Sequence, residues 1–196
     1  MNALPDTVVI DGIERPTRNG AGRVIHDTPE GIANFWRWFG DSKAVDSLGR
    51  PLVVYHGTSN DFTAFSDEFV SSRAENEFGK GFYFTPGHDA ANLYAGKNGK
   101  VVPSFVSMKS PMFVTTHDRG GATGWHGEHD GLIVVFADSE NKNDPESWAE
   151  IVVASPAQIK SATDNSGRFD PSSPSLIDAE DVVTPAPKAK PRGLAL

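Results

Sequence analysis

The sequence contains no cysteine among its 196 residues. Disulfides, thiolate ligands for zinc and a cysteine nucleophile are therefore all excluded. Because a cysteine-free protein is compatible with both reducing and oxidising compartments, this absence does not indicate where the protein works.

Basic residues are also few. The chain has 18 Lys and Arg against 26 Asp and Glu, which gives a net charge of −8. Proteins that coat DNA or RNA need a positive surface to bind the phosphate backbone, so this class of function is disfavoured. A nucleotide held by a few local groups remains compatible with the composition.

Long hydrophobic runs are missing as well. No apolar stretch approaches the ~18 residues of a membrane-spanning helix, and residues 1–10 lack the basic and apolar regions of a signal peptide. We therefore expect a cytoplasmic protein that does not contact a membrane. The hydrophobic fraction of 38%, with 12 Phe and 4 Trp, is enough to build the core of one domain without disulfides or structural metals.

The first 40 residues carry clear local signals. Asp11-Gly12 between two strand-like runs, residues 7–10 and 13–18, predicts a β-hairpin with a tight turn. Thr28-Pro29-Glu30 is typical of a helix start, and Gly40 of a helix end. Four apolar residues at helical spacing form a stripe that we expect in the core: Ile32, Phe35, Trp36 and Phe39.

Short strands dominate the rest of the chain. They are predicted at residues 52–55, 82–84, 101–107, 112–116, 132–136 and 150–154. A short helix is predicted at 89–94, and residues 67–77 are polar with helical character. Residues 118–130 and 138–147 are predicted loops, and the Pro/Ala/Lys tail at 184–196 is predicted to be disordered. This order indicates an α+β protein, because a doubly wound sheet would alternate strands and helices.

Two stretches are similar to familiar ligand motifs, but neither carries a strong signal. Gly79-Lys80-Gly81 begins like a dinucleotide fingerprint, but Phe84 stands where a third glycine is needed and no helix starts there. Residues 117–129 contain three His beside acidic residues, yet no periodicity directs these side chains to one point. A solvated loop is therefore favoured over a metal site.

Four side chains are candidates for a functional site, but each one alone is a weak signal. His56 follows the predicted strand at 52–55, Tyr83 lies between two Phe, and Tyr94 is on the short helix. Residues in such positions are more often structural than functional. Glu150 is less easily explained by packing, because a carboxylate at the start of an apolar strand loses hydration.

Three motifs in one order carry a more specific signal. Residues 54–58 (VYHGT), 79–84 (GKGFYF) and 150–153 (EIVV) resemble the signature strands of the His-Tyr-Glu class of ADP-ribosyltransferases. This class includes diphtheria toxin and the poly(ADP-ribose) polymerases, and in the latter, too, a second tyrosine follows the first by eleven residues. Residues 34–42 and 155–162 further resemble the transferase modules of phage and prophage polyvalent proteins.

The resemblance implies a fold and a setting. The fold would be the α+β ADP-ribosyltransferase fold, with two small packed β-sheets around an NAD cleft and a few flanking helices. We expect an N-terminal extension over residues 1–28, the transferase domain over 29–177 and a flexible tail over 178–196. NAD would be the co-substrate, without a metal. The protein would be a monomeric phage or mobile-element effector in the cytoplasm of a bacterial host.

The resemblance also implies roles for the matching residues. Glu150, His56 and Tyr83 would be catalytic, with Glu150 beside the ribose that becomes cationic as nicotinamide leaves. His56 would bond the adenosine ribose, and the Gly57 backbone would bond the nicotinamide amide. Tyr83 and Tyr94 would stack on the nicotinamide ring. The expected NAD-binding residues are His56, Gly57, Thr58, Gly81, Tyr83 and Tyr94.

Two positions depart from the patterns of this class. Ala91 stands where the polymerases carry a serine that bonds nicotinamide, so one contact is missing. Trp148 stands where arginine-modifying toxins carry a second acid, so arginine is a disfavoured acceptor. The loop at 138–149 would face the acceptor, with Trp148 as a contact.

The expected reaction is NAD-dependent transfer of ADP-ribose to a macromolecular acceptor, with release of nicotinamide. Protein is favoured over nucleic acid as the acceptor. An NAD glycohydrolase and a non-catalytic binding module of a larger phage protein remain as alternatives.

Overall fold

The computed structural model describes residues 4–70, 78–118 and 125–178. The strands are β1 (Thr7–Ile10), β2 (Ile13–Pro16), β3 (Val54–Thr58), β4 (Phe82–Phe84), β5 (Lys100–Val106), β6 (Pro111–Thr115), β7 (Gly131–Val135), β8 (Trp148–Val153) and β9 (Ile159–Ser161). The α-helices are α1 (Pro29–Phe39), α2 (Asp67–Val70) and α3 (His88–Ala95). Short 3₁₀ turns cover Pro145–Ser147 and Pro156–Gln158. None of the helices in these ranges is both long and apolar enough to cross a membrane.

The predicted hairpin and first helix are confirmed. Asp11 and Gly12 both have positive φ angles, 51° and 83°, as a tight two-residue hairpin turn requires. The Thr28 side chain accepts a hydrogen bond from the Gly31 N–H at the start of α1, and the Gly40 N–H bonds the Trp36 carbonyl at its end. The predicted apolar stripe of α1 is buried.

Helix α1 supplies much of one hydrophobic cluster, here called the main core. Its members include Phe35, Trp38, Phe39, Phe82, Phe84, Phe105, Ile133, Val135, Trp148, Ile151, Val153 and Phe169. The Phe35 ring lies 4.9 Å from the Phe105 ring and 5.2 Å from the Phe169 ring, measured between centroids. The helix therefore joins the middle of the chain to its later segments.

Two small sheets carry the rest of the fold. One has the order β3-β5-β9 and is antiparallel, and the other has the order β4-β8-β7-β6 with only β6 and β7 parallel. They are joined where Tyr55 and Thr85 exchange backbone hydrogen bonds of 2.9 and 3.0 Å. The expected α+β ADP-ribosyltransferase architecture, with two small packed sheets, is confirmed.

A second cluster covers the other face of the four-stranded sheet. This second core comprises Phe78, Val114, Trp125, Leu132, Val134 and Val152. Trp125 is 1% exposed and donates from Nε1 to the Phe78 carbonyl over 2.9 Å. Trp125 is therefore packed at the edge of the predicted loop, whereas His126, Gly127 and Glu128 are exposed. Residues 119–124 of this loop lie outside the described ranges. In the described chain, no group of three or more His, Asp or Glu side chains is placed to hold a metal ion.

Strand β9 and the segment after it were not predicted. Lys160 on β9 is fully buried, where it pairs with Asp178 at 2.7 Å and donates to the carbonyls of Ser173 and Ser175. Burial lowers the pKa of Lys160, and the Asp178 carboxylate partly offsets this shift. The pair fixes residues 173–178 against the three-stranded sheet. The predicted disordered tail at 184–196 lies outside the described residues.

Candidate active site

The candidate site is a split between β3 and β4. Tyr55 and Thr85 pair, and the same register would place Gly57 opposite Tyr83. Among the described strands, however, the pairing of β3 with β4 does not continue beyond Tyr55 and Thr85. Strand β3 itself continues along β5 to Thr58. The prediction that the strand ends before His56 is therefore wrong, because pairing with β5 extends it by three residues.

His56 holds the split open. Its Nδ1 lies 2.8 Å from the Tyr83 carbonyl oxygen, where a backbone partner of β4 would otherwise be. Since a carbonyl can only accept, Nδ1 carries the proton, and Nε2 of the neutral ring is the acceptor. The imidazole also packs against Phe65, with ring centroids 5.0 Å apart, and against Phe84 at 5.7 Å.

Gly57 directs backbone groups into the split. Tyr55 exchanges both of its hydrogen bonds with Thr85, and the bonding direction alternates along an antiparallel strand. The N–H and C=O of Gly57 therefore point to the same side as those of Tyr55. A side chain at Gly57 would collide with the Ala91 carbonyl, so the glycine also lets α3 pack closely on β3.

Glu150 and Tyr83 share one face of the four-stranded sheet. Tyr83 pairs with Val152, and Glu150 lies two residues before Val152 on β8. Because alternate residues of a strand point to one face, Glu150 is a diagonal neighbour of Tyr83, with typical Cα spacing of about 7–8 Å. The Tyr83 hydroxyl donates to the Gly79 carbonyl over 2.7 Å, which fixes the ring.

Tyr94 connects α3 to this face. Its hydroxyl donates to Oε1 of Glu150 over 3.4 Å, although 71% of the residue is exposed. The phenol therefore spans the mouth of the split from the helix to β8. The sequence predicted the ring of Tyr94 near the site but gave no signal for a contact between its hydroxyl and Glu150.

These contacts bring the four predicted side chains into one region. His56 lies beside the backbone of Tyr83, Tyr83 neighbours Glu150, and Glu150 accepts from Tyr94. A family model described as ADP-ribosyltransferase in polyvalent proteins matches residues 46–169, which is more than half of the chain. The chain belongs to this family. No curated protein matches the sequence.

The general chemistry of the ADP-ribosyltransferase family is transfer of ADP-ribose, and NAD is its co-substrate. The matched range includes every predicted site residue. It leaves out the hairpin, α1 and residues 170–178, although α1 and Phe169 meet in the main core. The family domain is thus packed against flanking segments of the same chain.

Thr58 and Gly81 are the two remaining predicted site residues, and each has a structural role in this chain. Thr58 is 8% exposed, and its hydroxyl oxygen accepts from the Asn60 N–H over 3.1 Å. A side chain at Gly81 would collide with the Val152 side chain, so the glycine lets β4 approach β8. Both residues shape the ends of the strands that border the split.

Trp148 does not lie where the family resemblance suggested. It is 4% exposed, packs in the main core and donates from Nε1 to the Lys142 carbonyl over 2.9 Å. A β-bulge makes Ala149 the extra residue, since Val134 pairs with Glu150 and Val135 with Trp148. The indole therefore faces away from Glu150, and the prediction of Trp148 as an acceptor contact is wrong.

The aromatic wall beside His56 was missed by sequence reasoning. Phe62 and Phe65 lie in a segment for which no helix or strand is predicted, yet their rings contact each other at 4.8 Å. Residues 173–178 hold this segment, because the Leu176 N–H bonds the Thr63 carbonyl over 2.9 Å. Two phenylalanines in an otherwise polar stretch were the available signal.

Proposed function

We propose that this protein is a His-Tyr-Glu ADP-ribosyltransferase that binds NAD in the split between β3 and β4. The observation that carries the proposal is the convergence of His56, Tyr83, Tyr94 and Glu150 on this split. Two contacts support it directly: His56 Nδ1 with the Tyr83 carbonyl at 2.8 Å, and the Tyr94 hydroxyl with Glu150 at 3.4 Å.

We assign to Glu150 the stabilisation of the positive charge that develops on the ribose. When the bond between nicotinamide and ribose breaks, its electron pair leaves with nicotinamide and the ribose becomes cationic. A carboxylate fixed on a strand beside that ribose stabilises the charge where it forms. The acceptor then bonds to the ribose carbon and gives up a proton. Glu150 lies on a paired central strand of its sheet, which suits a preorganised group.

His56 and Gly57 are assigned to binding. The Nε2 of His56 is an acceptor for a ribose hydroxyl, because Nδ1–H is committed to the Tyr83 carbonyl. The Gly57 N–H and C=O point into the split, where they suit the donor and acceptor of a carboxamide. Tyr83 and Tyr94 provide aromatic faces for the cationic nicotinamide ring. Thr58 and Gly81 support the strand ends that carry these groups.

The acceptor is proposed to be a protein. A chain with a net charge of −8 is poorly suited to the phosphate backbone of nucleic acid. We further propose that the enzyme is a monomeric phage or mobile-element effector that acts in the cytoplasm of a bacterial host. The match to transferases of polyvalent proteins supports this setting.

The test is nicotinamide release from NAD by the wild-type protein and by Glu150→Ala. We expect the variant to lose about 10²-fold or more in rate, the effect of removing one preorganised electrostatic group. Glu146→Ala is the matched control, because Glu146 is an exposed acid that precedes the same strand. Its rate should equal that of the wild type.

Equal rates for Glu150→Ala and the wild type would refute the role of Glu150. Mass spectrometry of a bacterial lysate incubated with labelled NAD separates transfer from hydrolysis. Label on protein supports transfer, whereas nicotinamide release without any labelled macromolecule would make the protein an NAD glycohydrolase.

A further inference from the structure

A second concave site lies under the loop that precedes β8. It is a cavity of about 480 Å³, within the range of about 300–1,000 Å³ that is usual for ligand pockets. It lies at the carboxyl ends of the parallel strands β6 and β7. Its lining residues are Phe113, Val114, Thr115, Asp118, Val135, Phe136 and residues 139–143.

The cavity is separate from the NAD split. Phe113, Thr115 and Val135 share one face of the sheet by register, and Val135 belongs to the main core. Glu150 pairs with Val134 and therefore faces the opposite side. None of the cavity residues is among those assigned to NAD, so a ligand here would leave the split accessible.

The loop above the cavity is fixed in place. Phe136 N–H bonds the Ser147 carbonyl over 2.9 Å, which closes the loop at its base. The Ser147 hydroxyl bonds the Asn141 carbonyl over 2.9 Å, and the buried Trp148 indole bonds the Lys142 carbonyl. The cavity is thus preformed, so binding does not have to order the loop first.

The chemistry of the cavity is apolar below and acidic at the rim. Phe113, Val135 and the half-exposed Phe136 supply the apolar surface. Two exposed carboxylates, Asp118 and Glu140, stand at the rim, and Thr115 donates to Asp118 over 2.7 Å.

The cavity already holds a cation of its own chain. The ammonium of Lys142 lies 5.5 Å from the centroid of the Phe113 ring. This contact shows that the face of the Phe113 ring suits a cation, as in a cation–π contact. A guanidinium or ammonium from another molecule would compete with Lys142 for this ring and would meet the carboxylates of Asp118 and Glu140.

We propose that this cavity binds a basic protein segment that inserts one apolar side chain, flanked by Arg or Lys. The apolar side chain would lie on Phe136 and Val135, and the flanking cations would pair with Asp118 and Glu140. If the proposed transferase function holds, the segment belongs to the acceptor, and the cavity is an exosite on the sheet face opposite Glu150.

The first test is the affinity of the full chain for a fluorescein-labelled peptide in which one phenylalanine is flanked by arginines. Fluorescence anisotropy should show binding that weakens with salt. Glu140→Lys should weaken it about fivefold or more, because it reverses one rim charge. Glu146→Lys is the matched control, since it makes the same change in the same loop outside the cavity lining. It should change the affinity less than twofold.

Three results would overturn the proposal. One is equal weakening by the two charge reversals, which would reflect net charge alone. Another is equal affinity for a peptide whose arginines are replaced by glutamates. The third is equal affinity for a single-stranded DNA oligonucleotide, which would make the surface a nucleic-acid site.

A second test determines whether the apolar side chain of the peptide binds in the cavity. Replacing the phenylalanine of the peptide by alanine should weaken binding to the wild type about tenfold. The same replacement should matter less than twofold for Phe136→Ala, because the two rings no longer meet. Equal losses in both proteins would exclude the cavity as the binding place of that side chain.

Nicotinamide release separates this inference from the proposed function. Glu140→Lys should release nicotinamide at the wild-type rate, because no cavity residue takes part in NAD binding. Normal release without peptide binding would refute the cavity proposal alone. Peptide binding without any release by the wild type would refute the transferase proposal and leave the cavity as a peptide site.

Discussion

Trp148 and Glu150 lie two residues apart on β8, but they face opposite sides of the four-stranded sheet. Trp148 is 4% exposed in the main core, and its indole holds the loop over the cavity. Glu150 is half-buried and accepts a hydrogen bond from Tyr94 on another element. One extra residue in the strand, Ala149, produces this separation.

Under the proposed function, this one short strand serves both packing and chemistry. A residue that stabilises the fold needs contact on all sides, whereas a group that meets a substrate must keep one side accessible. The bulge at Ala149 turns residues i and i+2, which would otherwise share one face of the strand, to opposite faces of the sheet. Mutations on the two sides of β8 should therefore change different quantities.

The largest effect is expected for Trp148→Ala. Removing a buried indole from the main core should lower the free energy of unfolding by about 3–5 kcal/mol, because a cavity replaces it. Urea denaturation of the two proteins measures this loss. Glu150→Ala, in contrast, should change the free energy of unfolding by less than about 0.5 kcal/mol.

The reverse pattern would contradict this division of labour. If Trp148→Ala kept the wild-type stability but released nicotinamide as slowly as Glu150→Ala, the indole would belong to the active site. Trp148→Phe refines the comparison. It retains most of the packing and loses only the bond to Lys142, so we expect it to cost about 1 kcal/mol.

Local sequence signals predicted most of the elements of this fold. The Asp11-Gly12 turn, the Thr28 cap and the stripe of α1 each have a mechanism that acts within a few residues, and each is confirmed. The predicted strands from 101 onwards lie within two residues of the observed ones. The α+β class followed from their order along the chain.

Features that depend on partners distant in sequence were not predictable. The bulge at Ala149 depends on pairing with β7, and an alanine gives no signal for a bulge. Strand β9 has only three residues, and its Lys160 is buried only because Asp178 pairs with it. The contact between Tyr94 and Glu150 joins residues that are far apart in sequence, so only the folded chain could place it.

His56→Ala is expected to have intermediate effects on both NAD affinity and stability. The imidazole contacts Phe65 and Phe84, and its Nδ1 bonds the Tyr83 carbonyl. We expect the Kd for NAD to rise about tenfold, the cost of one lost hydrogen bond. The free energy of unfolding should fall by about 1–2 kcal/mol, because the half-buried ring also packs.

Calorimetry with NAD and urea denaturation test these two effects of His56→Ala. An unchanged Kd would contradict the assignment of His56 to NAD. A large loss of stability with unchanged affinity would make the residue purely structural. His88→Ala is the control, because the exposed His88 packs on Tyr55 outside the split. It should leave the Kd within about twofold of the wild type.

The smallest effect is expected for Tyr94→Phe, which removes the hydroxyl and keeps the ring. The hydroxyl bonds Glu150 over 3.4 Å at an exposed position, so its loss should be worth less than a short buried bond. Because the bond orients the carboxylate, we expect kcat for nicotinamide release to fall roughly two- to fivefold. The KM for NAD should stay within about twofold, since the ring that we propose to stack on nicotinamide remains. Tyr55→Phe is the matched control, because Tyr55 packs on His88 and should leave both constants unchanged. A rise in KM alone would limit Tyr94 to stacking, and Glu150 would then act without help from α3.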